Sequence, residues 1–246
     1  MTPALHATPA TLVFLPGMMC DERLFAAQIT ALMDQFVTKT ADFGSAGTIE
    51  DMARAALALC EGPIIPVGLS MGGIVAMEIA VQAPERIQKL AVIDTNARAE
   101  KPHVAARRDP QIAAARAGDL ARVMRDELKP NYLADTPNRN AILDLCMDMA
   151  MDLGAEVFER QSNALRSRPD YLDQLGQITV PTMVLYGQYD RLCPAKNHQD
   201  IAAAVPNSTL IEIPNAGHLP TLETPDTVTD HLKRFVMQEN AHVPSR

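Results

Sequence analysis

Short runs of apolar residues alternate with amphipathic segments along most of the chain, which is typical of a parallel sheet flanked by helices. Each run is only a few residues long and is bounded by turn-forming residues, so we expect buried strands rather than helices. The predicted strands cover residues 11–15, 36–40, 64–67, 90–93, 182–186 and 208–213. The predicted helices cover residues 24–32, 48–60, 71–82, 196–204 and 225–237.

The region from residue 97 to residue 178 breaks this alternation, because it contains helix-like sequence and no convincing strand. Prolines punctuate it repeatedly, and its length of about 80 residues exceeds that of an ordinary connection between a strand and a helix. We therefore predict an α/β fold with one core, formed by residues 1–96 and 179–246. A helical lid, residues 97–178, is inserted into that core.

The composition indicates a globular protein and argues against several classes of function. Hydrophobic residues make up 47% and charged residues 21% of the chain, so a sizeable core can form. The net charge of −8 provides no basic surface for nucleic acid or for an anionic membrane. No apolar run approaches the ~20 residues that span a bilayer, and no basic start of a secretory signal precedes the first strand.

Cysteine usage points to a reducing compartment. Cys20, Cys60, Cys146 and Cys193 are scattered, without a C-x-x-C pair. This spacing favours free thiols over a disulfide framework or a zinc site. We therefore predict a cytoplasmic protein without a metal, a nucleic-acid partner or a membrane partner.

A candidate nucleophile lies between a predicted strand and a predicted helix. Residues 68–72 read Gly-Leu-Ser-Met-Gly, which matches G-x-S-x-G around Ser70. A sharp strand-to-helix turn leaves no room for neighbouring side chains and raises the serine hydroxyl at the carboxyl edge of the sheet. The alternative is a Gly-rich tight turn in which Ser70 merely caps the helix.

A serine hydroxyl needs an adjacent base, and His218 is the histidine best placed to supply it. It follows the last predicted strand in a loop at the same edge of the sheet as Ser70. His198 and His231 fall within predicted helices, where a surface or half-buried position is expected. The remaining histidines lie in the lid or near the termini: His103, His6 and His242.

Two aspartates could orient the imidazole of His218. Asp190 follows the strand 182–186, and Asp94 ends the strand 90–93, so both lie at the carboxyl edge. The sequence favours Asp190 and leaves Asp94 as the alternative.

The negative charge of a tetrahedral intermediate needs two N–H donors. We expect these donors to be the backbone amides of Met18 and Met71, and we expect Met19 and Leu219 to contact the substrate. Methionines near the nucleophile favour an aliphatic or aromatic acyl group. The lid arginines Arg107 and Arg108 either bind a substrate carboxylate or face water.

Taken together, these motifs resemble the α/β-hydrolase superfamily, specifically its lid-bearing branch of esterase-like serine hydrolases. The resemblance rests on five segments: residues 15–18, 68–72, 84–87, 187–194 and 217–225. It implies a triad of Ser70, His218 and Asp190, acyl-enzyme chemistry and no cofactor. Two departures stand out: Pro16-Gly17 replaces the His-Gly of many relatives, and the antiparallel hairpin that usually starts the sheet is expected to be missing.

The function expected from this resemblance is hydrolysis of carboxylic esters or thioesters with small-to-medium acyl groups. The partner is then a small-molecule ester, and the oligomeric state stays open. The same triad also serves C–C bond hydrolysis, lactone opening, perhydrolysis and acyl transfer. A non-catalytic ligand receptor on the same scaffold is the alternative of a different class.

Overall fold

A six-stranded parallel sheet forms the centre of the computed structural model, which describes residues 10–238. The strands are β1 (Thr11–Leu15), β2 (Thr38–Thr40), β3 (Ile64–Leu69), β4 (Leu90–Ile93), β5 (Thr182–Gly187) and β6 (Ser208–Ile213). Their order is β2-β1-β3-β4-β5-β6, and every neighbouring pair is parallel. The predicted α/β architecture is confirmed, while residues 1–9, where a hairpin would precede β1, lie outside the described residues.

Helices cover both faces of this sheet. The core helices are α1 (Ala26–Leu32), α2 (Ile49–Leu57), α3 (Met71–Gln82), α8 (Ala195–Ala204), α9 (Pro220–Glu223) and α10 (Pro225–Met237). One face packs against α2, α3 and α8, and the other against α1 and α10. Alternate residues of one strand supply both cores: Val13 and Leu15 point to the first face, Leu12 and Phe14 to the second.

Some element boundaries differ from those predicted. The strand β3 continues two residues beyond Val67, because Leu69 still pairs with Ile93 of β4 and carries the chain to the carboxyl edge. The helix α2 ends at Leu57 rather than at residue 60. Its start is as expected, since the Thr48 side chain accepts a hydrogen bond from the Asp51 amide and caps the first turn.

All elements between β4 and β5 are helical. The α-helices are α4 (Pro102–Ala105), α5 (Arg108–Ala114), α6 (Leu120–Arg122) and α7 (Arg139–Ser167). Two π-helical segments, Ala115–Asp119 and Val123–Leu128, and short 3-10 segments link them. The long helix α7 is kinked at Gly154, whose φ of +79° is left-handed. That residues 97–178 form a separate lid domain stays a prediction.

Two findings bear on the expectations drawn from composition. All four cysteines are free thiols. Between residues 10 and 238, no helix combines the length and the apolar character needed to cross a bilayer.

Candidate active site

Ser70 occupies the turn between β3 and α3 in a strained backbone conformation. Its φ of 56° and ψ of −115° lie outside the regions that a side-chain-bearing residue prefers. The turn is closed so tightly that a Cβ added at Gly72 would lie 1.8 Å from the carbonyl oxygen of Leu15. A Cβ added at Gly68 would lie 2.1 Å from the carbonyl oxygen of Gly72. The two motif glycines are therefore required by close backbone contacts.

His218 lies in the loop between β6 and α9 and faces Ser70. Its Nε2 atom is 2.9 Å from the Ser70 Oγ atom. The ring is buried, and the His218 backbone amide donates to the carbonyl oxygen of Tyr132 at 2.6 Å. A residue of the helical region thus holds the histidine loop in place.

The carboxylate of Glu223 organises the same loop. It accepts hydrogen bonds from the amides of Gly217 at 2.9 Å, Leu219 at 3.1 Å and Ala134 at 2.8 Å. Burial raises the pKa of Glu223, although these amides and the nearby His218 oppose that rise. Glu223 belongs to the motif at residues 217–225, but that motif alone did not predict this role. Its position a few residues after His218 was the available signal.

Asp190 completes the group, because its Oδ2 atom is 2.8 Å from the Nδ1 atom of His218. Its Oδ1 atom accepts from the amides of Leu192 at 2.8 Å and Cys193 at 2.9 Å. Burial alone would raise the pKa of Asp190. The charge and hydrogen bond of His218, the Asp94 carboxyl and the Cys193 amide outweigh burial and lower it to about 2. The carboxylate is therefore ionised at neutral pH.

Asp94 faces Asp190 rather than His218. The residue is fully buried, and its Oδ1 atom accepts from the amide of Gly187 at 2.9 Å. Burial raises the pKa of Asp94 well above its usual range, and the neighbouring charge of Asp190 raises it further. The Asp94 carboxyl supports the start of the Asp190 loop. The structure brings Asp190, not Asp94, to the imidazole of His218.

The expectation of a surface or half-buried His198 was wrong, because this side chain is fully buried. Its Nε2 atom accepts from the Thr95 amide at 2.9 Å, and its ring stacks on Tyr186 with centroids 4.9 Å apart. Burial lowers the pKa of His198 to about 4, so the ring is neutral. Thr95 in turn donates from Oγ1 to the carbonyl oxygen of Ser70 at 2.7 Å. His198 therefore supports the turn at Ser70 through Thr95.

The other histidines lie away from Ser70 or outside the described part of the chain. His103 is exposed, and His231 is half-buried on α10. His6 and His242 lie outside residues 10–238.

The residues predicted to supply the oxyanion donors lie near Ser70: Met71 follows it in the chain, and Met18 lines the same cavity. Gly17, which precedes Met18, lies next to Ser70, because a Cβ added at Gly17 would be at an ordinary contact distance of 3.5 Å from the Cβ of Ser70. Within residues 10–238, the amides of Met18 and Met71 find no acceptor in the surrounding turns. The amide of Met19 is used elsewhere, since it donates to Oε1 of Gln161 at 2.8 Å. Nothing in the sequence near Gln161 signals this contact, because the two residues are 142 positions apart.

A cavity of about 320 Å³ opens at Ser70 and His218. Its wall is mostly apolar and includes Leu219, as expected for a substrate contact, together with Leu69, Leu128, Tyr132 and Leu165. The side chain of Met19, also expected there, instead packs in a buried cluster with residues of the helical region.

Comparison with protein families gives the same assignment as the geometry. The sequence model described as "Alpha/beta hydrolase family" matches residues 12–231, nearly the whole described chain. The chain belongs to the alpha/beta hydrolase family. The parallel sheet flanked by helices is accordingly an alpha/beta hydrolase fold.

Individual members of the family are similar over most of their length. A pimeloyl-acyl-carrier-protein methyl ester esterase of Photobacterium profundum is 30% identical over 203 residues, covering 78% of each chain. A solved thermophilic esterase from Thermogutta terrifontis is 27% identical with a TM-score of 0.85, covering 94% of this chain and 90% of that one. An enol-lactonase from Burkholderia xenovorans shares the fold alone, at 21% identity and a TM-score of 0.81, covering 95% and 94%.

Within residues 10–238 of this alpha/beta hydrolase, two groups of three side chains have the spacing of metal ligands. One is Asp190, Cys193 and His218, and the other is Asp94, Asp190 and His198. Both need Asp190, whose carboxylate already accepts from His218 and from two backbone amides. The hydrogen-bonded arrangement therefore suits proton transfer at Ser70 better than it suits a cation.

Proposed function

We propose that Ser70 is the nucleophile of a serine hydrolase that cleaves carboxylic esters or thioesters through an acyl-enzyme. One observation carries this proposal: the hydrogen-bonded chain of 2.9 Å from Ser70 to His218 and 2.8 Å from His218 to Asp190. A serine, an imidazole and an ionised carboxylate in this order are the parts that activate an alcohol at neutral pH.

In the proposed reaction, Nε2 of His218 takes the proton of Ser70 while Oγ attacks the ester carbonyl carbon. The amides of Met18 and Met71 bind the negatively charged oxygen that develops. The tetrahedral intermediate collapses, and the alcohol leaves with the proton from His218. Water then attacks the acyl-enzyme, His218 again takes a proton, and the acid is released from Ser70.

Asp190 stabilises the imidazolium of His218 and fixes which ring nitrogen carries the proton. Its pKa of about 2 keeps the carboxylate of Asp190 charged at neutral pH. Asp94 is a positioning residue in this scheme, because it reaches the substrate only through Asp190.

An ester substrate is favoured by the relatives as well as by the geometry. The proteins of Photobacterium profundum and Thermogutta terrifontis are described as esterases, and this chain belongs to the same family. The apolar cavity of about 320 Å³ accommodates a small-to-medium acyl group beside Ser70. The cytoplasmic location stays a prediction from the sequence.

A series of p-nitrophenyl esters of increasing acyl length tests the proposal. We expect hydrolysis to be fastest for short to medium chains and to fall by at least about 10⁴-fold in Ser70→Ala. Ser45→Ala, a change at an exposed loop serine, is the matched control and should leave the rate unchanged. Ester hydrolysis that survives in Ser70→Ala would refute the proposed nucleophile.

A further inference from the structure

A second cavity, which we call the basic cavity, also opens at Ser70 and has a volume of about 710 Å³. Its lining includes six basic side chains: Arg98, Lys101, Arg108, Arg168, Arg191 and Lys196. Only two acidic side chains accompany them, so the lining carries four net positive charges. The whole chain has a net charge of −8, so this concentration of positive charge runs against the average of the protein.

The buried wall of the basic cavity holds more positive than negative charge. Arg108 and Arg168 both pair with the single carboxylate of Glu100, at 2.6 Å and 3.0 Å. All three side chains are almost fully buried, at 11%, 8% and 3% exposure. Two guanidinium groups share one carboxylate, so one buried positive charge is left uncompensated. Because such a charge is costly to bury, the group favours binding of an anion in the cavity.

The outer wall of the basic cavity also holds more positive than negative charge. Arg98 and Lys196 share one carboxylate, that of Asp200, at 3.1 Å and 2.6 Å. Lys101 and Arg191 are exposed and make no ion pair with the acidic groups of residues 10–238. Their charges are therefore available to a molecule that enters the cavity.

The positively charged side chains of the basic cavity lie close to Ser70. The basic cavity and the apolar cavity share Ser70, and Arg108 lines both of them. The Nη1 atom of Arg108 lies 4.0 Å from the sulfur of Met18, whose amide is a proposed oxyanion donor. Arg191 also lines both cavities, and Arg107 lines the first one. An ester carbonyl at Ser70 would thus have the mostly apolar wall of the first cavity on one side and the more strongly cationic cavity on the other.

We propose that the basic cavity binds an oxyanion of the ester substrate, a carboxylate or a phosphate. The apolar cavity then takes the uncharged side of the scissile bond. This inference rests on the proposed function of Ser70 and narrows its substrate class to esters that carry a negative charge on one side. Arginine suits both anions, because its guanidinium donates two parallel hydrogen bonds.

Matched ester pairs test this proposal. Mono-p-nitrophenyl glutarate against p-nitrophenyl valerate places a carboxylate on the acyl side. The ester 4-(butanoyloxy)benzoate against 4-(butanoyloxy)benzamide places it on the alcohol side, and 4-(butanoyloxy)phenyl phosphate tests a phosphate there. For each pair we define the anion preference as kcat/KM of the charged ester divided by kcat/KM of the neutral one. A general loss of activity cancels in this ratio.

We expect the wild-type protein to show an anion preference of about tenfold or more on one side of the ester. Arg191→Gln and Lys101→Gln should each reduce it about threefold to tenfold, because each removes one available charge from the cavity. Arg234→Gln is the matched control, since Arg234 is exposed on α10 and lines neither cavity. High salt should also lower the preference, as charges near the surface are screened within about 8 Å at physiological ionic strength.

Two results would overturn the inference alone: equal, Ser70-dependent turnover of charged and neutral esters, or an anion preference that both substitutions leave unchanged. Absence of Ser70-dependent turnover for every ester would overturn the proposed function together with it.

Discussion

Replacing Asp94 by asparagine tests whether this buried carboxyl is held in its neutral form beside the charged Asp190. The substitution is nearly isosteric. The asparagine oxygen can accept from the Gly187 amide as Oδ1 of Asp94 does at 2.9 Å, and the side-chain NH₂ can donate towards Asp190. The hydrogen bond from the Gly187 amide is therefore kept while the titratable group is removed.

The expected change follows from the pKa of Asp94, which burial and the charge of Asp190 raise well above its usual range. An unfolded aspartate loses its proton near pH 4, whereas the folded protein retains it at higher pH. The contribution of Asp94 is thus fully present below about pH 4. It is lost as pH rises towards the folded-state pKa, by about 1.4 kcal/mol of unfolding free energy per pH unit. Asp94→Asn removes this penalty, so it should be more stable than wild type at neutral pH.

Urea unfolding of the two proteins at a series of pH values measures this difference. The stability advantage of Asp94→Asn should be small near pH 4 and grow with pH until the folded-state pKa is reached. Asp34→Asn is the control, because the Asp34 residue is exposed to solvent. Parallel stability curves for wild type and Asp94→Asn would show that Asp94 is ionised in the folded protein, and the assignment of its neutral form would then be abandoned.

Three further substitutions test how the site is held together. Asp190→Asn should lower kcat by about 10³–10⁴-fold in the p-nitrophenyl ester assay, because the imidazolium of His218 loses its charged partner, whereas Asp94→Asn should lower kcat by less than about tenfold. A larger loss of kcat in Asp94→Asn than in Asp190→Asn would exchange the roles of the two aspartates. Glu223→Gln should cost about 2–4 kcal/mol of unfolding free energy in urea, because one amide oxygen cannot accept all three amides, and an unchanged midpoint would contradict this. Gly72→Ala should lower the free energy of unfolding by at least about 3 kcal/mol, because its Cβ would clash with the carbonyl oxygen of Leu15, whereas Gly47→Ala, which has open space around it, should leave stability nearly unchanged. Equal losses of stability in the two variants would refute the role of this close contact.

The sequence predicts much of the fold and the location of the site because parallel strands end at one edge. Short apolar runs identified all six strands, and the loops that follow three of them carry Ser70, Asp190 and His218. The tight turn could be inferred as well, since glycine at positions 68 and 72 has a local steric cause. Local pattern and chain direction were sufficient for these features.

Other features depend on contacts that no local pattern records. His198 lies on α8 beside polar residues, yet its side chain is buried against Tyr186 and the turn after β4. The raised pKa of Asp94 follows from its burial beside Asp190, and the sequence shows only two possible acids. The basic side chains of the basic cavity come from three distant segments, so the local excess of positive charge cannot be recognised in a chain with a net negative charge.

The central claim is that Ser70 forms the covalent intermediate, and intact-mass analysis after treatment with a fluorophosphonate tests it most directly. We expect the wild-type protein to gain the mass of one phosphonyl group, with peptide mapping placing it on Ser70, and Ser70→Ala to gain none. A wild-type protein that stays unlabelled while it hydrolyses esters, or a Ser70→Ala protein that is still labelled at the same rate, would contradict the account.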